Sequence, residues 1–409
     1  MEPLDEHTGR PSASFVRPFL YALNRMQANE ILRPEQYMDR AKMLLVDRLG
    51  NEGPLPGASF AHGVVGIMAD HTHYFDGFAL VLRLRQGVAV AVRTNTLGHH
   101  RLILEGTSDV VVSDKSELGD ADLSSLLSQS LKAVGNALSL HFDVSIVGAV
   151  PTGLGASYVA ALTVALVQAV HAFEQKVIDP VEVRNQALTA LNTWYGTRFS
   201  PAYVIGSLAD QTEPFILIDT KTMSHLPIEG PDNSKLGWGI IEWSKDWIHS
   251  YKGAPKRKKR ADRALVDIQK NGFSTTTSLR GLEHRDLERA VESAPRRSRS
   301  ALRYLVTENR NVQKLIVAIK KGDWQFFGAL MMISQASKKY DWSTTDSTHE
   351  LITKEAETAA LDGIFGVIQS GEGGCMLVFG QPFSVPAFLD RIKESTSPHT
   401  TEDVETFII

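Results

Sequence analysis

The stretch that decides the fold is Val150-Pro151-Thr152-Gly153-Leu154-Gly155-Ala156-Ser157. An alternating apolar segment precedes it and a run rich in Ala, Val and Leu follows, so we interpret it as a loop between a strand and a helix. Its glycines let successive N–H groups point at one anion, and the following helix N-terminus adds partial positive charge. A phosphate-binding loop and a plain tight turn both fit this pattern. It is not a Walker A loop, because no Gly-Lys-Ser/Thr sequence closes it.

Length and composition indicate a globular protein of more than one lobe. The chain has 409 residues, with 43% hydrophobic and 22% charged side chains. We therefore expect two lobes, at 1–205 and 206–409. The net charge of -4 argues against an electrostatic nucleic-acid binder, so no nucleic-acid partner is expected. The basic run Lys256–Arg260 could be a localisation signal, but helical apolar spacing after it favours the solvated start of a helix.

Targeting signals are not evident in this sequence. The first residues are acidic where a secretory signal would be basic. No apolar run approaches the roughly 20 residues that a membrane-spanning helix needs. Cys375 is the one cysteine, so no internal disulfide can form. We expect a cytoplasmic protein without a membrane partner.

Five stretches in collinear order resemble motifs of the GHMP kinases, and of galactokinases in particular. Residues 151–160 resemble the second GHMP motif, Pro-x-Gly-x-Gly-Leu-Ser-Ser-Ser-Ala, and residues 70–78 resemble the galactokinase signature Glu-His-Thr-Asp-Tyr-Asn-Gly-Gly-Phe. Residues 208–211 are similar to the family's Asp-Gln motif, and residues 305–310 to its Val-Val-x-Glu-Asn helix. Residues 371–375 resemble the third motif, Gly-Phe-Gly-Gly-Cys. The resemblance extends from about Ser59 to Lys393.

The resemblance implies an α+β fold of two lobes, the first like ribosomal protein S5 domain 2 and the second ferredoxin-like. It implies a kinase that uses ATP and Mg²⁺ to phosphorylate a hydroxyl, expected to be the anomeric one, of a hexose or modified sugar. The expected partners are these small molecules, and the expected state is a monomer or weak dimer. By position, the ATP-binding residues would be Pro151, Gly153, Leu154, Gly155, Ala156 and Ser157, with Ser157 also at the metal and Gly371, Gly373 and Gly374 in the third motif.

Asp210 is the carboxylate that the resemblance places beside the acceptor hydroxyl. Such a carboxylate can orient the hydroxyl or take its proton. Asp210 could instead cap a turn, and its place in the matching motif favours the catalytic interpretation. The substrate-binding residues implied by the galactokinase signature are Asp70, His71, His73, Asp76 and Gly77.

Departures from the family pattern fall within these motifs. Val64 stands where the motif arginine is expected, and Tyr158 and Val159 replace two serines. A valine carries no charge to stabilise the transferring phosphoryl group. Arg83 and Arg85, on one face of a predicted strand, could supply that charge or could form a solvated strand face.

The sugar contacts also differ, because Asp70 replaces Glu and His73 replaces Asp. His73 can donate a hydrogen bond where a carboxylate only accepts. A modified sugar or a sugar-like alcohol is therefore expected in place of galactose, and an acidic sugar is a further candidate if His73 or Arg83 faces a carboxylate. Two functions stay open: an active sugar kinase, and a catalytically impaired relative that binds sugar or nucleotide as a regulator.

Overall fold

The computed structural model describes residues 32–107, 110–113, 123–135, 140–210, 212–230, 235–244, 253–396 and 404–409. Helices and strands are mixed along this part of the chain, so the α+β prediction is confirmed. The β-strands are β1 Gly57–Met68, β2 Phe78–Asn95, β3 His100–Leu104, β4 Val110–Ser113, β5 His141–Gly148, β6 Phe215–Asp219, β7 Ser224–Ile228, β8 Gly237–Ser244, β9 Ile364–Gln369, β10 Gly374–Gly380 and β11 Glu405–Ile408. The α-helices are α1 Pro34–Leu49, α2 Leu123–Ala133, α3 Ala156–Phe173, α4 Pro180–Tyr195, α5 Pro201–Leu208, α6 Ala254–Lys270, α7 Leu287–Ser293, α8 Arg296–Lys321, α9 Trp324–Ser337, α10 Ser347–Thr358 and α11 Ser384–Thr396.

The chain divides into two compact units, each built from segments that are distant in sequence. The first unit lies within Met1–Ala61, Gln86–Thr152 and Ala161–Ala190. The second comprises His62–Arg85, Gly153–Ala160 and Leu191–Ile409. The predicted lobes, 1–205 and 206–409, stay a prediction.

The first unit is built on strands β3, β4 and β5 and the second half of β2. β5 pairs antiparallel with Val88–Asn95 of β2 and parallel with β3, and β3 pairs antiparallel with β4. Helix α1 packs one apolar face, including Tyr37, Ala41 and Leu45, against Ala89 and other buried side chains of this sheet. The helical spacing of these residues explains that face, since positions three to four apart share one side of a helix.

Helix α3 is the one described helix that is long and apolar enough to span a membrane by length and composition. However, 78% of that stretch is buried inside the protein. The same composition is typical of a core helix, and the burial explains its apolar character here.

In the second unit, the first half of β2 pairs antiparallel with β6, which pairs antiparallel with β7. A separate antiparallel sheet has the strand order β11-β8-β10-β9. Side chains of α10 and α11 pack against this sheet in one buried cluster that includes Ile352, Phe388 and Val378. In the β8–β10 register, Glu242 lies opposite Cys375, directly after the third-motif turn.

A helical subdomain of α6, α7 and α8 completes the second unit and buries a second core. Helix α8 ends at Gly322, which adopts the left-handed conformation, and Asp323 then caps α9 by accepting the N–H of Phe326. The basic run does begin a helix, α6, as predicted. It is not uniformly solvated, because Arg257 and Arg260 lie on the inner face and bind other parts of the second unit.

Candidate active site

The glycine-rich loop holds a carboxylate of its own chain. The Gly153 N–H donates a 2.8 Å hydrogen bond to Oε1 of Glu242, and this contact is buried. Glu242 is 1% exposed and projects from β8. A Cβ on Gly153 would overlap the Glu242 side chain, so only glycine permits this approach. The loop thus binds a carboxylate, and that carboxylate belongs to Glu242 of the same chain.

The third-motif turn packs directly on this loop. The first N–H of helix α3, that of Ala156, donates to the carbonyl oxygen of Gly371 at 3.1 Å. Gly371 has φ +74°, and a Cβ there would overlap the carbonyl oxygen of Leu154. The residues predicted for ATP binding in 153–157 therefore lie beside the third-motif glycines.

Ser157, predicted at the metal, is buried, and its Oγ accepts the N–H of Val64 at 3.2 Å. Tyr158 follows it and is 1% exposed, with no hydrogen-bond partner for its hydroxyl in the described part of the chain. Burial raises the pKa of the Tyr158 hydroxyl well above its usual value, so it stays neutral. Neither side chain offers a charged ligand for a cation.

Asp70, the first predicted substrate residue, lies at the centre of a buried charged cluster. Its Oδ2 accepts from Nζ of Lys338 at 3.0 Å, and its Oδ1 accepts from the Gly371 N–H at 3.1 Å and from the Tyr203 hydroxyl. Lys338 also donates to the carbonyl oxygen of Gln369 at 2.6 Å. Both oxygens of Asp70 are therefore engaged by the protein, and the ion pair is almost fully buried.

A second buried pair surrounds Glu372, which stands at the phenylalanine position of the third motif. Its Oε2 accepts from Arg257 and from the Tyr195 hydroxyl, the latter at 2.7 Å. Glu372 has φ +59°, a left-handed conformation unusual for a residue other than glycine, which these contacts help to hold. Burial raises the pKa of Glu372, while the charge of Arg257 opposes that effect.

His71 lies between these two pairs. Its Nδ1 is 3.4 Å from Oε1 of Glu372, and its ring contacts Tyr74, Tyr304 and Trp342. Burial, together with the positive charges of Arg257 and other neighbours, lowers the pKa of His71 well below its usual value. The imidazole is therefore neutral at physiological pH.

The remaining signature residues are tied to a second arginine. His73 Nε2 is 3.0 Å from the Arg198 carbonyl oxygen, and burial lowers the pKa of His73 to about 3. Arg198 forms a 2.7 Å ion pair with Asp76, which ends the short 3₁₀ turn Thr72–Phe75 in the left-handed conformation. A Cβ on Gly77 would crowd Phe75 and Asn309.

Asp210 differs from the other predicted residues because it is exposed, two residues beyond the end of α5. Its charge acts on Arg83 and on His62, which lie on β2 and β1. Partial burial lowers the pKa of Arg83, and the charge of Asp210 opposes this effect. Burial and Arg83 lower the pKa of His62 to about 4, so His62 is neutral at pH 7. Gln211, the motif residue after Asp210, lies outside the described residues.

Three charged residues of this region were not singled out from the sequence: Glu242, Lys338 and Glu372. A fourth, Arg257, was predicted only as part of a solvated helix start. The one signal for any of them was Glu372 at a position where the motif has an apolar residue. Lys338 begins a turn of π-helix, Lys338–Trp342, a feature often found at functional sites. The structure brings it to Asp70 from 268 residues away in sequence.

The loop as it stands does not fit a nucleotide phosphate. Two of its N–H donors, those of Gly153 and Ala156, already bind a carboxylate and a carbonyl group of the chain. Among the described residues, no group of three or more His, Cys, Asp or Glu side chains could hold a metal ion. Two of the donors that a phosphate could use are thus already engaged within the chain.

Comparisons with known proteins agree with this architecture. The galactokinase of Roseiflexus sp. (strain RS-1) is 24% identical over 340 residues, covering 80% of this chain and 84% of its own. That of Clostridium perfringens (strain 13 / Type A) is 22% identical over 364 residues, covering 85% and 92%. The solved structure of Lactococcus lactis galactokinase complexed with galactose covers 90% of this chain and 97% of its own, with a TM-score of 0.76 at 18% identity. No family model matches the sequence.

The fold, with its paired glycine turns, is that of a small-molecule kinase of the GHMP superfamily. The mevalonate kinase structure from Methanococcus jannaschii shares it at a TM-score of 0.55 and 13% identity, covering 86% of this chain and 96% of its own. Along most of its length the chain is similar to galactokinases. The relationship predicted from the motifs is confirmed.

Proposed function

We propose that this chain is a sugar kinase that transfers the γ-phosphate of ATP, with Mg²⁺, to a hydroxyl of a hexose or modified sugar, the anomeric hydroxyl first among them. The observation that supports this most is the exposed position of the Asp210 carboxylate, whose charge acts on the half-buried Arg83. The two carboxylates of the signature, Asp70 and Asp76, already form ion pairs with Lys338 and Arg198. Asp210 is therefore the motif carboxylate that remains open to an acceptor.

Asp210 and Arg83 divide the work that phosphoryl transfer requires, which is positioning and charge neutralisation. The Asp210 carboxylate orients the acceptor hydroxyl and accepts its proton. The Arg83 guanidinium supplies the positive charge that Val64 cannot, and its partial burial strengthens its interaction with a developing negative charge. Neutral His62 beside them adds a hydrogen-bonding group without a second positive charge.

Asp70, His71, His73, Asp76 and Gly77 form the substrate side of the proposed site. Many of their polar groups are held by protein partners, so they define its shape more than they supply free ligands. A shape fixed by a buried lysine and two neutral histidines differs from one built on free carboxylates. This difference supports a modified sugar as substrate. We further propose that the kinase is a cytoplasmic monomer or weak dimer.

A second candidate function is a sugar- or nucleotide-binding regulator without kinase activity. The specific observation in its favour is the contact between the Glu242 carboxylate, on β8, and the Gly153 N–H of the predicted phosphate loop. A loop that already holds an anion favours a protein in which nucleotide binding is weak.

The test is ADP release from Mg²⁺-ATP with a panel of hexoses, uronic acids and amino sugars. We expect turnover with at least one acceptor, reduced at least about 100-fold by Asp210→Asn and by Arg83→Gln. Arg85→Gln is the matched control, because Arg85 lies two residues along the same strand and is exposed. Unchanged turnover in Asp210→Asn would contradict the assigned role. Sugar or nucleotide binding without turnover on any acceptor would favour the regulator.

A further inference from the structure

The carboxylate of Glu242 contacts the glycine-rich loop that the sequence predicts to bind phosphate. It accepts the Gly153 N–H at 2.8 Å, in a buried contact between a loop and a strand 89 residues further along the chain. A phosphate bound to the same N–H would place a second negative charge within a few ångströms of this carboxylate. Like charges at that distance and with little water between them repel strongly.

The sheet register holds Glu242 in this place. In β8 it pairs with Cys375 of β10, the residue that closes the third motif. Burial, together with the charge of Glu242, raises the pKa of the Cys375 thiol well above its usual value. The backbone at Gly153 approaches so closely that any larger residue would overlap the Glu242 side chain. Strand position, burial and the glycine therefore all select this contact.

Two further polar groups of the loop also have hydrogen-bond partners within the chain. The Ala156 N–H, at the start of α3, donates to the Gly371 carbonyl oxygen, and Ser157 Oγ accepts from Val64. These are neutral contacts that a ligand can exchange without repulsion. Glu242 is the group whose charge opposes a phosphate at this loop.

We propose that Glu242 is an internal competitor of the nucleotide, and that phosphate binds the loop only when this carboxylate moves away or loses its charge. This inference rests on the proposed function, because it concerns the nucleotide site of the same kinase. It makes Glu242 a residue that sets nucleotide affinity. It also explains how a chain with intact loop glycines can combine a kinase fold with a closed phosphate site.

The experiment compares binding of Mg²⁺-ADP and of the Mg²⁺ complex of a non-hydrolysable ATP analogue by isothermal titration calorimetry. Glu242→Gln keeps the size of the side chain and removes its charge, and Glu242→Ala removes the competing group altogether. We expect at least about 10-fold tighter binding in Glu242→Gln, and similar or tighter binding in Glu242→Ala. Glu350→Gln is the control, because it removes one charge from an exposed site on α10. Circular dichroism checks that each variant is folded.

Equal affinity of wild type and Glu242→Gln overturns the proposal, and so does a failure of all three proteins to bind either nucleotide. If Glu242→Ala does not fold, the isosteric Glu242→Gln still decides. If the wild-type protein phosphorylates a sugar but Glu242→Gln binds nucleotide no more tightly, this inference is wrong and the proposed kinase function is supported. If Glu242→Gln binds nucleotide more tightly but no sugar is phosphorylated, this inference is supported and the proposed kinase function fails.

Discussion

Replacing Lys338 with methionine should destabilise the protein strongly, because it leaves the buried carboxylate of Asp70 without its cation. Lys338 Nζ is 3.0 Å from Asp70, and both side chains are almost fully buried. Removing one partner of such a pair typically costs 3–5 kcal/mol, since a charge stays behind in a poorly solvating interior. Tyr203 and the Gly371 N–H still bind Asp70 after the change, so we expect the lower end, about 3 kcal/mol.

The assay is urea unfolding of Lys338→Met, Asp70→Asn and the double variant, followed by circular dichroism. Methionine keeps most of the aliphatic length of lysine, so the change tests charge more than packing. The double variant removes both charges, and we expect it to be about 2 kcal/mol more stable than the sum of the single effects predicts. Lys339→Met is the neighbouring control, because Lys339 pairs with Glu350 at the surface and should leave stability near the wild-type value.

A cost below about 1 kcal/mol for Lys338→Met would refute the reasoning, as would strict additivity of the two single variants. Either result would mean that the interior solvates Asp70 without Lys338. The place of Asp70 in the fold would then not depend on this ion pair. The experiment therefore measures how far the Asp70–Lys338 pair stabilises the fold.

Two further predictions concern stability. Burial and Arg198 lower the pKa of His73 to about 3, so the unfolded chain binds a proton below pH 6.5 that the folded chain does not. The contribution of neutral His73 to the free energy of unfolding is complete above pH 6.5 and is lost as the pH falls towards 3, by about 2 kcal/mol at pH 5. In urea unfolding, His73→Gln should therefore show a smaller loss of stability than wild type between pH 6.5 and pH 3. Gly328→Ala should lower the free energy of unfolding in urea by about 2 kcal/mol, because the added Cβ would overlap the carbonyl group of Phe365. This overpacking outweighs the gain in helix propensity. A stabilised variant would contradict the close contact.

The glycine turns and the helical segments could be predicted because their signals are local. Gly153 and Gly371 belong to short motifs whose spacing already implies close backbone approach, and the structure packs these turns together. The helix break at Gly322 is also local, since glycine favours the left-handed conformation that ends a helix. Motif order then predicted the galactokinase-like fold without any contact information.

The charge pairs could not be predicted, because each joins residues that the fold alone brings together. Lys338 lies 268 residues from Asp70, and Glu242 lies 89 residues from Gly153. The interpretation of Lys256–Arg260 as a solvated helix start was wrong for two of its residues for the same reason. The sequence shows the helical spacing that defines an inner face. It does not show the groups that accept from Arg257 and Arg260, which lie far away in sequence.

The departures from the family motifs form an internally consistent set. A glutamate in place of an apolar motif residue would be costly if nothing else had changed, since an unpaired buried charge destabilises a fold by several kcal/mol. Glu372 instead meets Arg257 and the Tyr195 hydroxyl, and Asp70 meets Lys338. Both buried carboxylates thus have cationic partners, and the exposed carboxylate of Asp210 is where an acceptor would be sought first.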